Sequence, residues 1–138
     1  MIRNWDYHNL YMDFSTQFPD KDHPSDIDLF YLSRDGSLII GEIKNETGEL
    51  RFGQRRILER LAEGWSKDAV VLFITHDKYY QYGDRVVDVA NCFVKEIYYK
   101  RIHEWRTPRE PTTVRQVIEY YKGRGKNERT KRESAKEH

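Results

Sequence analysis

The chain has 138 residues, with 24 basic and 23 acidic side chains, 38% hydrophobic and 14% aromatic residues. That length suits one domain, and ten Tyr, six Phe and three Trp supply core material that a disordered chain lacks. The single cysteine, Cys92, excludes an intrachain disulfide and a multi-cysteine zinc site.

Taken in chain order, residues 5–16 could form a short helix with Trp5, Leu10, Tyr11 and Phe14 inward, and the proline- and aspartate-rich stretch from Pro19 to Ser25 reads as a loop. Ile27 to Leu32 is apolar except for Asp28 and predicts a largely buried strand. Ser33 to Ser37 has hairpin-turn chemistry, with Gly36 free to take positive φ, and Leu38 to Lys44 continues as the second strand. From about Arg51 the period changes. Phe52, Ile57, Leu58, Leu61 and Trp65 fall at helical spacing, with Arg55, Arg56, Glu59, Arg60 and Glu63 expected outward and Gly64 near the end.

Ala69 to Thr75 has the β-branched content of a central strand buried on both faces. Hairpin, helix and strand together predict a right-handed βαβ crossover. Tyr79, Tyr80, Tyr82 and Gly83 suggest an aromatic loop, and Arg85 to Val89 and Phe93 to Tyr99 two further short strands. After Pro108 and Pro111, Thr112 to Tyr121 reads as a helix capped by Thr112 or Thr113. The boundaries that follow are one domain over residues 1–122 and a basic, disordered tail over residues 123–138.

Charge is divided along the chain. Residues 1–50 carry ten acids against four bases, and residues 51–138 carry thirteen acids against twenty bases. A carboxylate surplus needs a metal or neighbouring cations, and a basic remainder suits a polyanion such as nucleic acid. Two ordinary solvated faces would give the same totals.

The informative stretch is Pro24-Ser25-Asp26-Ile27-Asp28, a hairpin, then Glu42-Ile43-Lys44. Strand alternation puts Glu42 and Lys44 on one face and Ile43 on the other. If the two strands pair, Asp28 lies beside Glu42, and two carboxylates at a sheet end suit a hard divalent cation such as Mg²⁺. Asp26 projects to the same face as Asp28, so either could be the ligand, and Asp28 is preferred because it enters the apolar strand. The Ile43 carbonyl could complete the protein ligands, and Lys44 could orient a water and offset phosphate charge. Charges in an apolar strand are costly without partners, although a salt-bridged edge hairpin is the competing explanation. Arg51, Arg55, Arg56 and Arg60 are suitable phosphate contacts, or part of a solvated helix face. His76 and Asp77 end the central strand, while His8, His23 and His103 have no metal-ligand spacing.

Asp28, Glu42-Ile43-Lys44 and the helix beginning Gly53-Gln54 resemble the core of the PD-(D/E)xK nuclease superfamily, over about residues 24–76. The likeness is to small phage and bacterial nuclease domains with a D…ExK hairpin and a Gly-Gln helix. It implies an α/β, restriction-endonuclease-like mixed sheet flanked by helices in αβββαβ order. It also implies a Mg²⁺-dependent nuclease, with Mn²⁺ able to substitute, that cleaves nucleic acid, DNA being the expected substrate. By that resemblance Asp28 and Glu42 bind metal, Ile43 lends its carbonyl, Lys44 is catalytic and Gln54 positions substrate or metal. A homodimer would suit so small an endonuclease. The alternative is a non-catalytic nucleic-acid-binding or protein-interaction module on the same scaffold. Apolar runs far short of the ~20 residues that span a bilayer, and an N-terminus without an apolar signal core, imply no membrane partner. The expected compartment is the cytoplasm of a bacterium or a phage-infected host.

Overall fold

Two aliphatic runs form the centre of a sheet. In the computed structural model, which describes residues 27–76 and 88–124, β2 (Leu38–Asn45) and β3 (Ala69–His76) pair in parallel from Leu38↔Ala69 to Asn45↔His76. Six successive residues of β3, Ala69 to Ile74, are buried, as expected for a strand covered on both faces. β1 (Leu29–Leu32) pairs antiparallel with β2. On the other side β4 (Phe93–Tyr99) pairs antiparallel with β3, and β5 (Glu104–Arg106) antiparallel with β4. The strand order is β1-β2-β3-β4-β5. Helix α1 (Phe52–Gly64) connects the parallel pair, and helix α2 covers residues 114–124. The protein is therefore α/β, a five-stranded mixed sheet with two helices among the described residues.

Local chemistry fixes the connections. In the β1–β2 turn the Ser33 N–H donates to the Ser37 carbonyl at 2.9 Å, and the Ser37 N–H donates to Asp35 Oδ1 at 2.9 Å. Gly36 sits at φ 88° there, a conformation other residues adopt only with strain. Burial pushes the Asp35 carboxyl upward, but hydrogen bonds from Ser33 and Ser37 and the charge of Arg124 outweigh it and hold the group below its ordinary value. The β4–β5 turn is a 3₁₀ segment, Lys100–Ile102, closed by His103 in the left-handed region at φ 55°. At the start of α2 Thr113 Oγ1 accepts from the Gln116 N–H at 3.2 Å, and Gln116 Oε1 accepts from the Thr113 N–H at 2.9 Å, a reciprocal cap.

The sheet has two unlike faces. Ile39, Val70, Leu72, Ile74, Val94 and Ile97 form one core with Val114, Val117 and Tyr121 of α2. Leu38, Ile40, Ala69, Val71 and Tyr98 form a smaller one with Leu58 and Ala62 of α1. Gly41 allows the strands to pack closely, since a Cβ there would meet Ile74 Cδ1 at 3.0 Å and Leu29 Cβ at 3.3 Å.

Several expectations change. β1 is an edge strand with Phe30 and Leu32 exposed, not a largely buried one. On α1 the inward residues are Leu58 and Ala62, whereas Phe52, Ile57 and Leu61 are exposed. Arg55, Glu59 and Glu63 are not outward but reach Glu96, Trp105 and Tyr98. Val89 opens a 3₁₀ turn, Val89–Asn91, instead of ending a strand, and β5 was not anticipated. Helix α2 continues through Arg124, which pairs with Asp68 at 3.0 Å and Asp35 at 3.7 Å. The expected helix at 5–16, the loop at 19–25, the tyrosine loop, positions 85–87 and residues 125–138 lie outside the described residues.

Candidate active site

The β1–β2 register decides where the acidic residues meet. Leu29 pairs with Gly41, so Asp28, one residue earlier, is level with Glu42 one residue later. Leu29 and Tyr31 pack on the α2-side core, as does Ile43. Asp28 lies just before β1, and alternation continued through it would turn it to the α1 side, the side of Glu42, which follows Leu38 and Ile40. The Ile43 N–H donates to Asp28 Oδ2 at 2.8 Å. This carboxylate takes the place of a strand partner just past the end of the β1 ladder. By the same alternation the Ile43 carbonyl points toward that open flank.

Glu42 is 7% exposed. Its Oε1 lies 3.6 Å from Lys44 Nζ, two residues on and on the same face. Burial of a carboxylate at this level demands cationic company, and Lys44 supplies part of it. The arrangement brings Asp28, Glu42, Lys44 and the Ile43 peptide to one end of the parallel pair, where β2 and β3 finish.

The other proposed residues sit differently. Gln54 Oε1 accepts from the Arg51 N–H at 3.3 Å, so its carboxamide oxygen caps the start of α1. Arg55 Nη2 donates to Glu96 Oε2 at 2.6 Å, and its guanidinium lies 4.8 Å from the Trp105 ring centroid. Arg55 is thus tied toward β4 and β5. Arg51 is exposed at the helix start, and Arg56 is exposed with its guanidinium 5.7 Å from the Phe52 ring. His76 ends β3 opposite Asn45. His103 pairs with Glu63 at 2.6 Å, at the opposite end of the sheet. Asp26 and Asp77 lie outside the described residues.

A β-bulge adds residues that sequence alternation assigns to opposite faces. Phe73 pairs with Glu96 but Ile74 pairs with Val94, which leaves Lys95 as the extra residue in β4. Val94 and Ile97 both enter the α2-side core, while Lys95 Nζ lies 5.4 Å from the Phe73 ring and Glu96 reaches Arg55. The row Glu42, Phe73, Glu96 thus crosses the α1 face, with Lys95 beside it and Asp28 at its β1 edge. The adjacent polar pair Lys95-Glu96 inside an apolar strand was the available signal.

Among the described residues no group of three or more His, Cys, Asp and Glu side chains could hold a metal ion. Asp28 and Glu42 are two carboxylates, and Mg²⁺ is commonly held by one or two carboxylates while it keeps several waters. The donor set therefore fits that ion and does not resemble an all-protein cage. Comparison of the chain with protein-family models, with curated proteins and with solved structures finds no match.

Proposed function

We propose that this chain is a metal-dependent nuclease that hydrolyses phosphodiester bonds, with DNA as the expected substrate. The observation that carries the reading is the convergence of Asp28 on Glu42-Ile43-Lys44: a register that aligns the two carboxylates, an Asp28 contact to the Ile43 N–H, and Lys44 3.6 Å from Glu42. The hairpin followed by a helix and a parallel strand supports a restriction-endonuclease-like arrangement.

In this reading Asp28 and Glu42, with the Ile43 carbonyl, would hold Mg²⁺, which when bound supplies a Lewis acid for a phosphoryl oxygen and favours an ionised water. Lys44 carries the chemistry this chain itself provides. Its ammonium stands at the mouth of the site, where it can hold a water by hydrogen bond and offset the charge that grows on phosphate oxygens. Arg51 and Arg56, exposed on α1, are suited to contact the backbone of a bound strand. Gln54 would have to release its cap to touch substrate.

The test is cleavage of supercoiled plasmid, linear duplex and single-stranded DNA in Mg²⁺, Mn²⁺ or EDTA. Cleavage that needs metal, and that falls by at least about 100-fold in both Lys44→Ala and Glu42→Ala, is the expected result. No cleavage by wild type on any substrate in either metal would overturn it. One observation favours a second reading, a non-catalytic nucleic-acid-binding module: Gln54 and Arg55 are already engaged, in a helix cap and an ion pair. That reading predicts salt-dependent DNA binding without cleavage, retained by Lys44→Ala.

A further inference from the structure

On the face of the sheet away from Asp28, Glu42 and Lys44, a cavity of about 370 Å³ opens between β4, the 107–112 segment and α2. Its floor is apolar, made by Val70, Ile97 and Val117. Tyr99 and Tyr120 line its sides. Tyr120 is 59% exposed, yet its ring is held edge-on against buried Tyr121, with centroids 5.3 Å apart at 89°. An aromatic kept in place but left open to water is a surface on which another flat ring can stack.

Arg101 and Arg109 also line the cavity and approach it from separate segments. Neither makes an ion pair among the described residues, whereas Arg106 and Arg124 are both paired with carboxylates. Arg101 also borders a second hollow, lined by Lys67, Lys100, His103 and the paired Asp68 and Arg124, so the two lysines add to the positive charge on that side of the cavity. Two guanidinium groups from different segments match an anion with several terminal oxygens, since one bidentate arginine already satisfies a carboxylate. The volume lies at the small end of ligand pockets, about 300–1,000 Å³, the scale of one nucleotide unit and not of a duplex.

We infer that this cavity binds a planar aromatic ring carrying a phosphate, as in a nucleoside monophosphate. The ring lies on Tyr120 and Tyr99 over the apolar floor, and the phosphate sits between Arg101 and Arg109. The same unit could arrive as a free nucleotide or as the phosphorylated end of a single strand. The site is separated from Lys44 by the sheet and does not rest on the nuclease reading.

The test is equilibrium binding by calorimetry to the full chain in EDTA, so that no cleavage can intervene. The probes are adenosine and cytidine monophosphates, the matching nucleosides, inorganic phosphate, and a short single strand with or without a 5′-phosphate. Nucleotide binding should weaken at least tenfold in Arg101→Gln/Arg109→Gln and in Tyr120→Ala, but not in Arg34→Gln, which removes an exposed base from the β1–β2 turn. Nucleoside alone and phosphate alone should each bind at least tenfold more weakly than the nucleotide. If the phosphorylated strand binds more tightly than the free nucleotide, and the unphosphorylated strand does not, the source is a strand end. If the free nucleotide binds more tightly, the source is the small molecule. Equal binding by wild type and the double arginine variant, phosphate binding as strong as nucleotide binding, or no binding of any phosphorylated probe at millimolar concentration would overturn the proposal.

Discussion

The two faces of the sheet are built from the same strands but solve different problems. The α2 face is a continuous aliphatic layer, with Ile39, Leu72, Ile74 and Val114 each exposed by 1% or less. The α1 face buries fewer side chains and surrounds them with polar ones: Glu42 with Lys44, Arg55 with Glu96, Glu59 with Trp105, and Glu63 with Tyr98 and His103. Charges within the central strands are expensive where helix and sheet close over them. They are tolerable on the α1 face because they find partners there: Glu42, though buried, has Lys44, and Arg55 and Glu96 pair while each stays more than a quarter exposed. The charged residues of β2 and the bulged residues of β4 all use this face. The candidate chemistry therefore sits where the fold had room for charge.

The sharpest way to break this comparison is to delete equivalent bulk from each face. Ile74→Ala should cost about 3–5 kcal/mol, because a fully enclosed site between β3 and α2 cannot collapse around the missing atoms. Leu58→Ala should cost about 2–3 kcal/mol, since exposed Ile57 and Leu61 flank it and the seam can readjust. Urea unfolding monitored by tryptophan fluorescence gives both numbers. Equal losses would mean that the α1 face is packed as tightly as the other, and the contrast would fail.

How much of this was legible in the residues follows from the same asymmetry. β2 and β3 were readable because long aliphatic runs have few uses other than a doubly covered strand; the observed strands extend the predicted ones by a single residue each, to Asn45 and His76. That Asp28 falls level with Glu42 was readable because a short turn with Gly36 pins the register. The inward face of α1 was readable only in part, at Leu58, which is buried, and Trp65, which packs beside it. Spacing of the large apolar residues pointed to Phe52, Ile57 and Leu61, but the helix turns Ala62 to the sheet, and a small residue carries little weight in a hydrophobic pattern. The bulge at Lys95 was hidden for a related reason. Strict alternation assigns Lys95 and Glu96 to opposite faces, and only the pairing to Phe73 and Ile74 brings both to one. Glu96 reaches Arg55 by plain alternation with Tyr98, and the bulge adds Lys95 to the same face.

A second, smaller effect should separate polar pairing from packing. The Arg55–Glu96 contact is short, at 2.6 Å, but both side chains are more than a quarter exposed. A double-mutant cycle with Arg55→Ala and Glu96→Ala should therefore give a coupling of only about 0.5–1 kcal/mol. Arg55→Ala alone should cost somewhat more, since the guanidinium also rests on Trp105. A coupling near zero would show that β4 places Glu96 beside Arg55 without stabilising the fold.

The smallest effect distinguishes the faces by acid. The hydroxyl of Tyr98 donates to Glu63, and His103 adds a second contact; together they outweigh burial and hold the Glu63 carboxyl below its ordinary value of 4.5. A carboxyl whose folded value is depressed contributes stability that is fully present above pH 4.5 and fades as pH falls through the folded value. Asp35, at the β1–β2 turn, has the same sign. Glu63→Gln should therefore be less stable than wild type at pH 7 and converge toward it as pH falls below 4.5 and the wild-type carboxylate is protonated. Solvent screening keeps the gap modest because this side chain is one-third exposed. Ile74→Ala, which removes no titrating group, should keep its deficit nearly constant across the same range. Denaturant midpoints at pH 7, 5, 4 and 3 would decide it. If the gap between Glu63→Gln and wild type stayed constant with pH, Glu63 would act through shape and neutral hydrogen bonding, and the α1 face would owe its stability to packing just as the α2 face does.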